Sequence, residues 1–121
     1  LEVMSAMISG MTFNQDTMLQ AATGGFATAT DLADYLVRKG VPFRDAHAAV
    51  GEAVRSAQDR GLELSQLSLV DLQAFSSHIE ADVYQVLSVE GSVAARDQVG
   101  GTAPRQVRRA IARVRQRLAG R

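Results

Sequence analysis

The stretch TATDLADYLVRKGVPFRDAHAAVG, residues 28–51, sets Asp31, Arg44, Asp45 and His47 around a Pro-Phe turn. An imidazole with a carboxylate partner is the equipment of general acid–base catalysis, provided both reach a substrate proton. The same stretch also reads as a helix-turn-helix that could enter a DNA groove, or simply as two helices and the corner between them. His47 lies one helical turn after Phe43 and one before Val50, so it borders the apolar face of its helix and reads as a structural histidine. His78 falls near the end of a helix expected to begin after Ser68, where its charge suits the C-terminal dipole. The two histidines belong to no HExxH or HxxxH pair, and the chain has no cysteine, so neither a zinc site nor a thiol nucleophile is expected. Gly24-Gly25 and Gly100-Gly101 are isolated pairs without the spacing of a phosphate-cradling loop. No catalytic, cofactor-binding or metal-ligating residue is assigned from these patterns.

The strongest charge feature lies at the C-terminus. Arg105, Arg108, Arg109, Arg113, Arg115, Arg117 and Arg121 are seven of the thirteen basic residues, and the preceding 104 residues carry a net −7. Such asymmetry is one mark of nucleic-acid binding. Yet at about 100° per residue the arginines fan over the whole half of a helix opposite Val107, Ile111, Val114 and Leu118, as a solvated face does. The helix after Pro42 is no richer in base than in acid, with Arg44 and Arg55 against Asp45, Glu52 and Asp59. Docking of the basic helix on the acidic body or on another subunit is therefore preferred to DNA or RNA.

Composition bounds the rest. A chain of 121 residues with 46% apolar content, zero formal net charge and two prolines can close one core without disulfides or metals. Its apolar runs stop short of the roughly 20 positions of a membrane span, and a cytoplasmic setting is the expectation. The opening LEVMSAMISGM has no initiator Met and already carries a helical pattern at Leu1, Met4, Ile8 and Met11, which suggests a cut inside a longer protein. Four methionines in the first eighteen positions read as core filler, or as a surface that packs on something else.

The elements that must position these residues read as helices throughout. A first helix stops near Gly10; Asn14 caps a second, with Phe13 and Met18 placed for a hydrophobic staple. Thr30 is the expected cap of a third, with Asp31 and Asp34 in its first turn, Leu32, Ala33, Leu36 and Val37 as its apolar stripe, Tyr35 at the border, and Gly40 closing it. Pro42 suits the first position of a fourth helix, which carries Phe43, Ala46, Val50, Ala53, Val54 and Ala57 inward and runs to Gly61. LELSQL reads as a loop with apolar anchors. Ser68 with Asp71 then opens a helix with Leu69, Leu72, Phe75 and Ile79 facing inward. Asp82 caps a short helix, and a turn of helix is expected after Ser92. The last helix starts at Thr102. No segment combines alternation with β-branched enrichment, so the expected class is all-α: stacked helical hairpins, about six to eight helices, with little or no sheet.

ATDLADYLVRKGVPFRDAHAAVG closely resembles the C-terminal domain of argininosuccinate lyases, in the fumarase/aspartase superfamily that includes the δ-crystallins. LEVMSAMISGMTFN, LSLVDLQAFSSHIEADVYQVLSVEGSV and GGTAPRQVRRAI match in the same order, so the resemblance covers almost the whole chain. It implies a parent homotetramer that splits argininosuccinate into arginine and fumarate by anti β-elimination, in arginine biosynthesis, without metal or organic cofactor. It also implies that residues 1–20 are a junction helix from a central helical bundle and residues 21–121 the terminal domain. The family's serine-bearing signature loop of the GSSxMPQKKNP type and its catalytic-histidine segment have no counterpart here. His47 and His78 match neither, so the segment alone is expected to be inactive. Its expected partners are other domains and subunits of the same enzyme, with no nucleic acid and no membrane. Leu1, Met4, Ile8 and Met11 offer a surface for self-association. The alternative is a free-standing nucleic-acid- or protein-binding module that uses the arginine-rich helix.

Overall fold

The computed structural model describes residues 2–120; Leu1 and Arg121, named above in the N-terminal stripe and the arginine run, lie outside the described residues. The chain forms helices α1 (Glu2–Ser9), α2 (Gln15–Thr23), α3 (Ala29–Arg38) and α4 (Phe43–Asp59), then a single 3₁₀ turn at Leu64–Gln66. Helices α5 (Leu69–Phe75), α6 (Val83–Val86), α7 (Val89–Ala95) and α8 (Pro104–Ala119) complete it. Among the described residues there is no strand, as the absence of alternation predicts.

The fold is organised by the α3–α4 hairpin. Leu32, Ala33 and Leu36 on α3 meet Ala46, Val50, Ala53 and Ala57 on α4, and all seven are buried. The three alanines fall on one face of α4 and let the two backbones approach closely enough for the α3 leucines to fill the space between. A Schellman motif ends α3: Gly40, at φ 93°, donates its N–H to Val37 and Val41 donates to Leu36. A side chain at Gly40 would be strained in that left-handed conformation. The chain from Leu62 to Leu87 then wraps the hairpin, driving Leu64, Leu67, Leu72, Ile79, Val83 and Leu87 into the same core. Leu64 and Leu67 are the expected anchors of the LELSQL loop, and Ser68 and Asp71 form the expected reciprocal capping box. Asn14 caps α2 through the N–H of Thr17.

Several local expectations are corrected. The cap of α3 is Thr28, whose side chain makes no capping bond, because the chain enters through a turn at Phe26 that brings Ala29 N–H to the Phe26 carbonyl. Thr30 is already helical. Tyr35 is buried, with only 4% exposure, whereas Val37 is 40% exposed: the wrapping segment covers the flank of α3 that carries Tyr35. Pro42 is the residue before α4, and Phe43 stands 65% exposed rather than inward. Helix α5 ends at Phe75, where Ser76 turns to an extended backbone, so His78 sits on an exposed turn with no helix end beside it. Asp82 precedes α6 but caps nothing, because its carboxylate is taken by Tyr35 and Lys39. The helix expected after Ser92 begins earlier, at Val89, capped by the Ser88 hydroxyl through the N–H of Gly91. Helix α8 begins at Pro104, because Ala103 is buried as its cap residue.

Candidate functional site

The four chemical residues of the opening stretch do not converge. Asp31 faces inward from the first turn of α3, only 4% exposed, and its carboxylate accepts from Ser92 Oγ at 2.7 Å and Arg96 Nη1 at 3.0 Å. Arg44 and Asp45 are exposed on the first turn of α4. His47 is exposed beside Phe43, ring centroids 6.1 Å apart and tilted by 40°. Among the described residues neither the His47 nor the His78 imidazole makes a hydrogen bond or an ion pair, so neither base has the orienting partner that acid–base chemistry requires. No group of three or more metal-ligating side chains is assembled among the described residues.

The structure instead uses its polar side chains to tie elements together: Arg60 at the end of α4 pairs with Asp71 of α5 at 3.2 Å, and three larger pins stand elsewhere. The first is Asp31 with Ser92 and Arg96, which ties α7 to the start of α3. Arg96 Nη1 also donates to the Ser92 carbonyl, so the carboxylate, hydroxyl and guanidinium satisfy one another inside the fold. Gly91 makes this approach possible, since a β-carbon there would lie 1.7 Å from the Gln85 carbonyl oxygen.

The second pin locks the Ile79–Asp82 turn to the end of α3. Tyr35 Oη donates to Asp82 at 2.6 Å and accepts the Glu80 N–H at 3.1 Å. Lys39 Nζ bridges Glu80 at 2.6 Å and Asp82 at 3.3 Å, and lies 5.3 Å from the centre of the Tyr35 ring. Burial, seconded by the bond to Asp82, raises the Tyr35 phenol above its ordinary value. The Tyr35 hydroxyl, with Lys39 behind it, holds the Asp82 carboxyl below the usual range. Glu80 first, and then Asp82, raise the Lys39 ammonium. The third pin fixes the start of α8: Arg105 pairs with Asp97, and Gln106, 7% exposed, donates to the Asp97 carbonyl at 2.7 Å. Arg105 holds the Asp97 carboxyl low.

No buried side-chain nitrogen or oxygen among the described residues lacks a partner, so no pin leaves a polar group aimed at a ligand. Beside the first pin an open hollow of about 460 Å³ is lined by Asp34, Arg38, Arg96 and Gln98 among others. A shallow hollow of about 270 Å³ lies between α3 and α4, lined by Ala33, Phe43, His47, Val50 and Val54 among others. The stripes of α8 and α1 are further exposed apolar surfaces, with Val107, Ile111 and Val114 44–47% and Leu118 65% exposed on α8, and Val3, Met4, Met7 and Ile8 58–74% exposed on α1. Sequence reasoning missed Asp31, Ser92 and Arg96 as a set because they are up to 65 positions apart, and no short motif encodes that separation. It placed Asp31 correctly in the first turn of α3, but as a group serving the helix dipole.

Residues 26–94 match the family model described as argininosuccinate lyase C-terminal. The argininosuccinate lyase of Herminiimonas arsenicoxydans is 61% identical over 98% of this chain, and that of Pseudomonas aeruginosa is 54% identical over the whole of it. The chain spans 26% of the length of each of these two relatives. A solved EDDS lyase variant with bound fumarate superposes with a TM-score of 0.77 at 28% identity, over 88% of this chain and 23% of that one.

Proposed function

This chain belongs to the argininosuccinate lyase C-terminal family, and from that premise we propose that it serves as the structural terminal domain of an enzyme that cleaves argininosuccinate to arginine and fumarate by β-elimination. The carrying observation is that likeness to argininosuccinate lyases runs through almost the whole chain yet accounts for only a quarter of their length. The geometry supports a scaffold role: Asp31, Arg96, Tyr35, Asp82 and Asp97, the groups best placed for chemistry by type, are committed to holding elements together. In this reading residues 1–20 are the junction to a central bundle and residues 21–121 the domain that supports neighbouring active-site segments. The parent is a cytoplasmic homotetramer of arginine biosynthesis that uses neither metal nor organic cofactor, and its catalytic groups come from other segments. Among the described residues no helix is long and apolar enough to cross a membrane.

Argininosuccinate added to the 121-residue chain, with fumarate followed by its absorbance, should give no turnover; turnover at the rate of a full-length lyase would overturn the scaffold reading. The coding sequence upstream should carry the serine-bearing signature loop.

A second reading is favoured by one observation, the run of arginines on the face of α8 opposite its apolar stripe, and makes the chain a nucleic-acid-binding module. It requires a salt-dependent complex with DNA that weakens when Arg108 and Arg109 are neutralised.

A further inference from the structure

Two of the polar pins share one stretch of chain. Asp31, buried in the first turn of α3, accepts from Ser92 and from Arg96, the residue that ends α7. The carbonyl of the same Arg96 accepts the N–H of Ala103 at 3.2 Å. Its neighbour Asp97 receives the side-chain hydrogen bonds that α8 makes beyond its own helix among the described residues, from Arg105 and Gln106. Arg96 therefore faces two ways, with its guanidinium on the core and its backbone under α8.

Apolar burial within the chain does little to hold either helix. Among the described residues α7 buries no side chain, and α8 buries Gln106 alone, just after the buried Ala103 that precedes the helix. The N-terminal end of α7 is fixed at a tight corner, where the Ser88 hydroxyl donates to the Gln85 carbonyl at 2.8 Å and accepts from Gly91 N–H at 3.0 Å. Its other end has the bonds to Asp31. The loop that follows is drawn closely onto Arg96: Gly101 donates its N–H to Gln98 at 2.8 Å, and a β-carbon at Gly101 would stand 2.0 Å from the Arg96 carbonyl oxygen. Only glycine allows that approach, because a clash with backbone is not relieved by a change of rotamer.

We propose that these contacts form a relay in series, in which the buried Asp31 sets where α8 leaves the domain. The Asp31 carboxylate places Arg96, because a buried carboxylate parted from its counterion is costly and the pair is held to one geometry. Arg96 and Asp97 then place Ala103 and Gln106, and these two give α8 its direction. Asp31 is thus a positioning residue for a helix to which it makes no hydrogen bond. The relay goes beyond the scaffold reading and is separable from it, since it concerns contacts inside the chain and can fail while that reading stands.

Native-state hydrogen exchange of the 121-residue chain separates a relay in series from independent pins. Asp31→Ala should speed the amides of Arg96, Ala103, Gln106 and Val107 about tenfold, the loss of one hydrogen-bonded link. Gly101→Ala cuts the relay beyond Arg96, so Ala103, Gln106 and Val107 should speed while Ser92 and Arg96 keep the rate of the unaltered chain. Tyr35→Phe, a substitution of similar cost in a different pin, should leave all of these amides at that rate. Asp31→Asn keeps an acceptor for Ser92 but not the charge; it should give the Asp31→Ala pattern in weaker form, and decides the matter if Asp31→Ala does not fold. An aspartate variant that leaves Ala103, Gln106 and Val107 unchanged overturns the relay. So does a Gly101→Ala chain that spares α8 or loosens α7 equally, and so does Tyr35→Phe if it moves the same amides as Asp31→Ala.

Discussion

The α3–α4 hairpin and helix α8 carry equally regular amphipathic patterns, but one stripe is buried and the other is not. Leu32 and Leu36 are at most 1% exposed, whereas Ile111 is 45% and Leu118 65% exposed. The difference lies in what the rest of the chain supplies. Around the inner faces of α3 and α4, the segment from Leu62 to Leu87 returns Leu64, Leu67, Leu72, Ile79, Val83 and Leu87 into the core. Helix α8 is held at its first turn, where its Arg105 and Gln106 engage Asp97, and beyond that turn no other element among the described residues covers its stripe. Regular spacing therefore sets which face of a helix seeks burial, while the partner that provides it must come from elsewhere in the chain or from another molecule.

The contrast is broken most sharply by equal truncations on the two sides. Leu36→Ala should cost about 2–5 kcal/mol through the cavity it leaves. Ile111→Ala, measured on dilute chain, should stay within about 0.5 kcal/mol, as for a surface position. Urea denaturation of both variants checks this, and comparable losses would place α8 in the same core as α3.

The polar pins come next. Arg96→Ala leaves the buried Asp31 carboxylate with Ser92 as its remaining side-chain partner, and should cost about 3 kcal/mol, in the range for a buried charge stripped of its counterion. Asp31→Ala should cost less, about 1–2 kcal/mol, because the Arg96 side chain is 42% exposed and can turn to water. Equal losses in thermal melts would contradict that asymmetry. Tyr35→Phe removes the bonds to Asp82 and to the Glu80 N–H, and should destabilise the fold by about 1–2 kcal/mol. Amides of the Ile79–Asp82 turn should then exchange faster than those of α4.

The smallest effect is the pH response. Asp71, Asp82 and Asp97 are held below their ordinary values, Asp71 chiefly by the Ser68 hydroxyl, Asp82 by Tyr35 and Asp97 by Arg105. A carboxylate whose folded pKa is depressed contributes stability above its unfolded pKa, near 4, and loses it as pH falls through the lower folded value. Stability should therefore hold from neutrality to about pH 5 and decline below it. Lys39, raised above its ordinary value, contributes fully below its unfolded pKa, and loses its contribution as pH rises through the folded one. Urea midpoints across acid pH for Asp82→Asn should show a shallower decline than those of the parent chain.

Helix identity and most of the core were legible in the sequence because both are local. The Leu32–Leu36 stripe, the Ala46–Ala57 face, the Gly40 and Gly61 stops and the Ser68–Asp71 box each lie within one or two helical turns. The side of α3 that would be covered was not legible: Tyr35 looked like a border residue because its partners Glu80 and Asp82 come from more than forty positions away. Phe43 was misplaced for the converse reason, since its spacing suits an inward face and no returning segment covers it. The site was least legible of all. Asp31 looked like a dipole-serving carboxylate, and only the folded chain shows it buried against Ser92 and Arg96.

Native-state hydrogen exchange tests the division between a self-sufficient core and outer helices that need a partner most directly. The amides of α3 and α4 should exchange only through global unfolding, while those of α1 and the C-terminal half of α8 exchange far faster. Amides of α1 and α8 as protected as those of α4 would contradict it.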